Sequence, residues 1–375
     1  MIELGARGWR NLEPLNLALT SRVTVLSGDN GQGKTNLIEA IYYLATLRSF
    51  RTAHALDLVR AGPGSEGRAR LVVRVEHEGL ERRLEVELGP AGRTATLDGK
   101  PVRGAAAVLG AVSVVLFVPE DLLLARAAPA ARRRFLDMAV FNVERGYYGE
   151  AAAFQRVLKS RNMLLRRGHA EAVLLDTYDE QLARAGARLV MRRRAMVAEL
   201  GPRAAALFRV LHSDLALAVR YRGDAAVEVE TDERGVYQAL LDGMRVRRSL
   251  DERRRFTGFG PHTDDVELEL GGRAAREHAS QGQLRSLVLA LKLAELTNVE
   301  ARSGEAPVLL LDDVPSELDP TRRGFLFQMV GGLSCQTVIS VTEKEIVPAL
   351  PERQDFRVEH GRIMQTESPL LAERQ

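Results

Sequence analysis

Val23 to Asn36, VTVLSGDNGQGKTN, is the stretch whose reading settles the fold. Its first five residues read as a buried strand, and NLIEAIYYLATL just downstream reads as a helix. Between them Gly28, Asp29, Asn30, Gly31, Gln32, Gly33, Lys34 and Thr35 fit GxxxxGK[ST], a phosphate-binding loop in its strand-to-helix setting. The glycines let successive backbone N–H groups converge on one point, and the helix that follows aims its positive end there. Lys34 would place a point charge on the outer phosphates, and the Thr35 hydroxyl would hold Mg²⁺. A glycine turn that binds nothing is the competing reading, and the strand-to-helix setting weighs against it.

A chain of 375 residues exceeds what one hydrophobic core usually serves, so two domains or one domain with a large insertion are expected. The 45% apolar and 27% charged composition is that of an ordinary globular protein. A net charge of +3 hints only weakly at a polyanionic partner, but Arg126 to Leu200 carry 15 Arg and Lys against 8 Asp and Glu, a surplus of +7. Cys335 is the only cysteine, which excludes an intramolecular disulfide and a cysteine-based metal site. A reducing cytoplasm is therefore expected. MIELGARGWR lacks a basic-then-apolar leader and no run approaches bilayer length, so neither secretion nor membrane association is expected.

Outward from the loop, RLVVRVEHE, LERRLEVEL and RTATLDGKPV are three short strands broken by Gly79, Gly89-Pro90 and Asp98-Gly99, which predicts an antiparallel sheet beside the nucleotide-binding core. VSVVLFVPED is a further strand. From about Pro129 to Ser213 the pattern takes a helical period. In FQRVLKSRNMLLRR, Phe154, Val157, Leu158, Leu164 and Leu165 share a face, while Arg156, Lys159, Arg166 and Arg167 cluster opposite. Arg161 projects into the apolar face, where a buried ion pair is the expected explanation. LDTYDEQLARAGARLVMRRRAMVAEL predicts a second long helix, LALAVRYR a strand, VYQALLDGM a short helix, and FTGFGPHTDDVELELGG a return to sheet. The expected division is a discontinuous ATPase domain at 1–125 and 255–375 with a mainly helical lobe at 126–254 inserted in it.

APVLLLDDVPSELD, from Ala306 to Asp319, is an apolar strand ending in two carboxylates, as a parallel strand buried on both faces would read. Asp312 at its tip would serve Mg²⁺ beside Thr35, and Asp313 would orient or deprotonate a water. Upstream, Ser280, Gln281, Gly282 and Gln283 stand just before a long apolar-faced helix, so its start could face an anion. One chain already has its phosphate loop, so a second such helix start fits a site closed across two subunits. A plain helix cap is the commoner meaning of such a start.

With these motifs in hand, the chain resembles the RecF family of bacterial DNA-repair ATPases, relatives of SMC and ABC-type ATPase heads. The resemblance rests on GDNGQGKTNLIEAIYYLA with RSFRT, FVPEDL followed by RRRFLD, LKSRN, GPHTDD, SQGQLRSLVLALKLAE and LLLDDVPSELD. It implies an α/β fold, an ABC/SMC-type head in which a phosphate-loop mixed sheet adjoins an antiparallel subdomain and carries an inserted helical lobe. It also implies that Gly28 to Thr35, with Asn36, bind ATP. Thr35 and Asp312 would then serve Mg²⁺, with Lys34, Asp312 and Asp313 catalysing hydrolysis. Ser280 to Gln283 would contact the ATP of a second copy, and Ser316 to Asp319 would line the dimer seam. Thr263 stands where the family pattern has Arg and Tyr178 where it has Trp; the switch histidine after the second strand is absent, leaving Ser340 or Thr342.

The implied activity is a nucleotide-gated clamp on double-stranded and gapped DNA, an ATP-dependent homodimer with a weak DNA-stimulated ATPase. Its partners would be RecR with RecO, and indirectly RecA. Lys159, Arg166, Arg167, Arg192 and Arg193 are candidate DNA contacts, with Arg132 to Arg134 and Arg194 beside them. The alternative is an ABC-type ATPase subunit that powers a complex without binding DNA. SMC-type arms are excluded, because the helical stretch allows helices of at most about 35 residues, some 50 Å, without sustained heptads. A fused nuclease would need an acidic metal-binding domain after the ATPase, and too little chain follows Thr342 to hold one.

Overall fold

The computed structural model describes residues 1–62, 66–77, 79–102, 112–144, 146–168 and 171–366. They form two compact units, Met1–Asp121 with Val299–Gln375 and, inserted between these, Leu122–Asn298.

The first unit contains two six-stranded sheets. One is antiparallel, in the order β2-β1-β4-β5-β6-β7, built from β1 (Glu3–Arg7), β2 (Leu15–Ala18), β4 (Ala69–His77), β5 (Leu80–Gly89), β6 (Gly92–Leu97) and β7 (Lys100–Pro101). It contains the three strands expected beside the core, and the chain's first two strands join its edge. The other combines β3 (Val23–Ser27), β8 (Val114–Phe117), β12 (Val308–Asp312), β13 (Thr337–Val341), β14 (Arg353–Glu359) and β15 (Arg362–Thr366), in the order β15-β14-β3-β13-β12-β8. All its pairings are parallel except β14 with β15.

The buried apolar runs of β3, β12 and β13 follow from that position, since a central parallel strand is covered on both faces. The sheet order sets β13 between β3 and β12, so the loop after β3 and the carboxylates after β12 leave the same edge. Ligands bind at such carboxyl ends of parallel strands. Helix α1 (Lys34–Thr46) is buried nearly all round, as its apolar sequence requires.

The inserted unit is mainly helical: α2 (Pro129–Val143), α3 (Tyr147–Arg167), α4 (Ala172–Leu211), α5 (Ala225–Glu228), α6 (Glu233–Arg254), α7 (Ala275–His278) and most of α8 (Gln281–Ser303). A small antiparallel sheet joins β9 (Leu217–Arg222), β10 (Asp265–Leu270) and β11 (Arg273–Ala274). Two helices exceed their expected lengths. α4 runs for 40 residues because it continues through Gly201-Pro202, where the sequence suggests a stop, and this corrects the 35-residue ceiling. α6 spans 22 residues and extends well beyond the short helix expected at VYQALLDGM.

The second border of the insertion falls at Asn298, not at residue 254. The reason is local pairing. β10 matches β9 from Asp265↔Arg222 to Leu270↔Leu217, and the Pro261 carbonyl accepts from Arg193, so GPHTDD and the strand after it belong with the helices.

Helix α9 (Val314–Glu317) and α10 (Pro320–Gly332) complete the first unit, the latter started by Asp319 accepting from the Arg322 N–H.

Candidate active site

Gly28 and Gly33 show why the loop needs glycine. Gly28 has φ 144°, and a Cβ there would lie 2.4 Å from the Val358 carbonyl oxygen of β14. Gly33 has φ 120°, with Asn11 Oδ1 and Leu12 Cδ2 each 3.0 Å from the same imagined atom. Only glycine combines that backbone with that proximity. Gly33 also precedes α1 without a side-chain cap, and the first turn of α1 has no acidic residue. The helix start therefore offers N–H groups that no side chain satisfies, the arrangement that suits an anion.

Lys34 is nearly buried, and its ammonium donates to the carbonyls of Gly28 and, at 2.9 Å, Asp29. Burial lowers its pKa, while Asp313, Asp312 and Asp29 oppose that shift. Asp29, Asn30 and Gly31 are exposed at the rim of the loop.

Asp312, 5% exposed at the end of β12, accepts at Oδ1 from Thr35 Oγ1 at 3.0 Å and from Ser340 Oγ at 2.7 Å. Burial raises its pKa against those two hydrogen bonds, with Asp313 pushing the same way. A carboxylate so placed has two hydroxyl partners and, among the described residues, no paired cation, which fits it to face a divalent metal. Asp313 follows with a left-handed backbone at φ 55°, where a non-glycine residue is strained. Its N–H donates to the Ser340 carbonyl at 3.1 Å and to Ser340 Oγ at 3.0 Å, and its Oδ1 accepts from Ser316 Oγ at 2.8 Å. Of the two residues considered for the switch position, Ser340 touches both carboxylate residues, whereas the Thr342 carbonyl accepts from Gly28 N–H at 3.3 Å.

Behind the loop lies a supporting layer that motif reading missed. Glu39, fully buried on α1, receives two hydrogen bonds of 2.9 Å from Arg10 and one of 2.5 Å from Ser49 Oγ. Arg51 donates to Asn36 Oδ1 at 2.7 Å, Asn36 Nδ2 donates to Asn11 Oδ1 at 2.7 Å, and Trp9 Nε1 donates to the Asn36 carbonyl at 2.9 Å. Asn36 is thus a brace of the loop's helix. Gln32 Oε1 accepts from the His360 N–H at 2.6 Å, tying the loop to the β14–β15 turn. RSFRT was the one signal that could have found part of this layer.

Ser280 and Gln283 belong to the inserted unit and cap α8 reciprocally. Ser280 Oγ accepts from the Gln283 N–H at 3.2 Å, and Gln283 Oε1 accepts from the Ser280 N–H at 2.8 Å. This is a capping box. It occupies the N–H groups of Ser280 and Gln283, so those of Gln281 and Gly282 are what the helix start can offer an anion.

The candidate DNA contacts separate into two groups. Lys159, Arg166 and Arg167 are exposed and form no ion pair among the described residues. Arg193 is buried, with two hydrogen bonds to Asp137 and one of 2.6 Å to the Pro261 carbonyl, which corrects its reading as a DNA contact. Arg192 is taken by Glu144 and Glu150. Arg132 pairs with Asp265 at 2.7 Å, while Arg133 and Arg194 donate to backbone carbonyls; of the neighbouring arginines only Arg134 stays exposed. Arg161 lies in the expected buried ion pair, with Asp179 at 2.7 Å and Asp251 at 2.8 Å.

Residues 1–362 match the model of the RecF/RecN/SMC N terminal domain. The DNA replication and repair protein RecF of Myxococcus xanthus is 45% identical over 354 residues, covering 92% of each chain. Its counterpart from an Anaeromyxobacter species is 42% identical over 376 residues, 99% of this chain and all of the other. The chain belongs to the RecF family. Among solved structures, that of the recombination mediator protein RecF-ATPrS in the RecFOR pathway superposes with a TM-score of 0.90 at 28% identity, over 98% of both chains. An Smc head bound to the C-winged helix domain of ScpA gives 0.58 at 13% identity over 99% of both chains, a likeness of fold alone. The expected head fold is therefore present. Among the described residues no helix is long and apolar enough to cross a membrane.

Proposed function

We propose that this chain is an ATP-dependent DNA-binding protein of recombinational repair, a clamp closed by nucleotide and reopened by slow hydrolysis. The cluster of Thr35, Asp312 and Ser340 beside an uncapped helix start is the observation that carries the reading. A similar structure, that of the recombination mediator protein RecF-ATP, supports it.

The loop Gly28 to Thr35 would hold the phosphates through its N–H groups after Gly28, whose own N–H is taken by Thr342, with Lys34 leaving its two carbonyls to meet them. Thr35 and Asp312 would hold Mg²⁺. Both fits rest on the donor set: among the described residues, one ammonium hydrogen-bonded to carbonyls and one buried carboxylate hydrogen-bonded to hydroxyls. Bound ATP with its metal supplies the phosphoanhydride whose cleavage resets the clamp. Asp313 accepts a proton from water, its carboxylate held by Ser316.

Ser280, Gln281, Gly282 and Gln283 of a second copy complete the site, chiefly through the N–H groups of Gln281 and Gly282. Lys159, Arg166 and Arg167 offer charge to DNA phosphates, whose contacts are blind to sequence and sensitive to salt. RecR with RecO, and through them RecA, are the protein partners in this reading. The discontinuous head is the motor and the helical insertion its DNA-facing lobe.

Anisotropy titrations of gapped duplex DNA with ATP, with ADP and without nucleotide test the proposal. Tighter binding with ATP is expected; equal affinity in all three conditions would overturn the clamp.

A further inference from the structure

Within the inserted unit, three helix ends meet. Arg161 with Asp179 and Arg192 with Glu150 set α3 antiparallel to α4. Arg188 with Glu233 and Arg248 with Asp176 set α6 antiparallel to α4. The end of α3, the start of α4 and the end of α6 therefore form one tip, fixed by the Thr257 N–H donating to Asn162 Oδ1 at 2.7 Å.

Arg166, Arg167, Arg253, Arg254 and Arg255 are exposed there without an ion pair among the described residues; Glu171 and Glu252 are the exposed acids beside them, which leaves a surplus of +3. Cations in the last turn of a helix offset its dipole, and that accounts for part of the set. It does not account for the next two residues. Arg255 ends α6 in the left-handed region at φ 61°, a position that favours glycine, so the chain keeps a long cationic side chain there at a conformational cost. Phe256 follows. Of the 19 aromatic side chains in the protein it alone is exposed, at 46%, and Met163 on the end of α3 is exposed too.

Duplex phosphates need cations only. Unpaired bases also present faces that stack on an aromatic ring, in grooves whose arginines follow the backbone. We infer that this tip receives single-stranded nucleic acid where a duplex opens, with Phe256 stacking on an unpaired base and the arginines contacting the flanking phosphates. The inference rests on the DNA-binding reading above and adds a site and a mode to it.

Full-length protein with ATP is titrated with three fluorescent probes: a blunt duplex, a gapped duplex and an oligo-dT strand. Phe256→Ala weakens the gapped and oligo-dT probes roughly 10-fold and the blunt duplex less than about 2-fold, while Phe256→Trp retains both. Arg253→Glu with Arg254→Glu weakens all three and flattens the salt dependence by about 1 to 2 in slope. Circular dichroism confirms that each variant is folded. If the wild type binds while both variants match it on the gapped and oligo-dT probes, the inference is overturned and an acidic protein surface becomes the occupant of the tip. A wild type that binds none of the probes overturns the DNA reading itself.

Discussion

The phosphate loop and the inserted unit both bury charge, and they do so in opposite ways; elsewhere in the first unit, buried Glu39 and Asp355 are paired with Arg10 and Arg353. In the insertion, Arg161 is paired with Asp179 and Asp251 and donates to Thr257, and Arg193 is paired with Asp137 and donates to a carbonyl. At the phosphate loop, Lys34 sees two carbonyls and Asp312 two hydroxyls, with no salt bridge for either among the described residues. Neutralisation by a paired opposite charge marks a group that holds the fold, and incomplete neutralisation at an open helix start marks one waiting for a ligand. Charge alone distinguishes neither.

Arg161→Leu presses this contrast hardest. Two buried carboxylates would lose their common partner, at a cost of about 3–5 kcal/mol in denaturant unfolding. A loss below about 1 kcal/mol would show that the buried pair is not structural.

Asp264 gives a pH test in the same unit. Burial raises its pKa from 3.8 to about 6, against the donating Tyr221 hydroxyl and the charges of Arg193 and Arg133. The folded state then binds more protons than the unfolded chain between those values, so its contribution is full below about pH 4 and fades as pH rises through about 6. Asp264→Asn should remove a change on the order of 1–3 kcal/mol from the stability profile across that window. A profile parallel to that of the wild type would contradict it.

At the loop the sign reverses between stability and function. Asp312→Asn keeps an oxygen to accept from Thr35 and Ser340 while discarding a buried charge. The apoprotein should be as stable as the wild type or about 1 kcal/mol more so, whereas Mg²⁺-dependent ATP affinity falls. Calorimetry with and without nucleotide reads both. A variant that is less stable and binds ATP normally would make Asp312 a structural residue. The smallest effect belongs to Arg192→Ala, whose half-exposed pairs with Glu144 and Glu150 are worth under about 1 kcal/mol after solvent screening.

The loop, its helix and the two carboxylates were legible in the sequence because each lies in one short segment whose periodicity names its element. Glu39 was not, since Arg10 and Ser49 approach it from outside the helix it sits on and no local pattern joins them. Arg192, Arg193 and Arg194 are consecutive in the sequence and stand together there as candidate DNA contacts. On a helix, consecutive residues point about 100° apart, so the three cannot share a solvent face, and the middle one turned inward. The 40-residue helix was underestimated because Gly201-Pro202 reads as a terminator, yet buried apolar residues on both sides carry the helix through it.

Light scattering of Ser280→Arg beside the wild type, with ATP and Mg²⁺, tests most directly whether one copy's helix start closes on nucleotide held by the other. Wild type should double in mass, Lys34→Met should stay monomeric for want of nucleotide, and Ser280→Arg should bind ATP yet stay monomeric. A Ser280→Arg dimer formed with ATP would contradict the shared site.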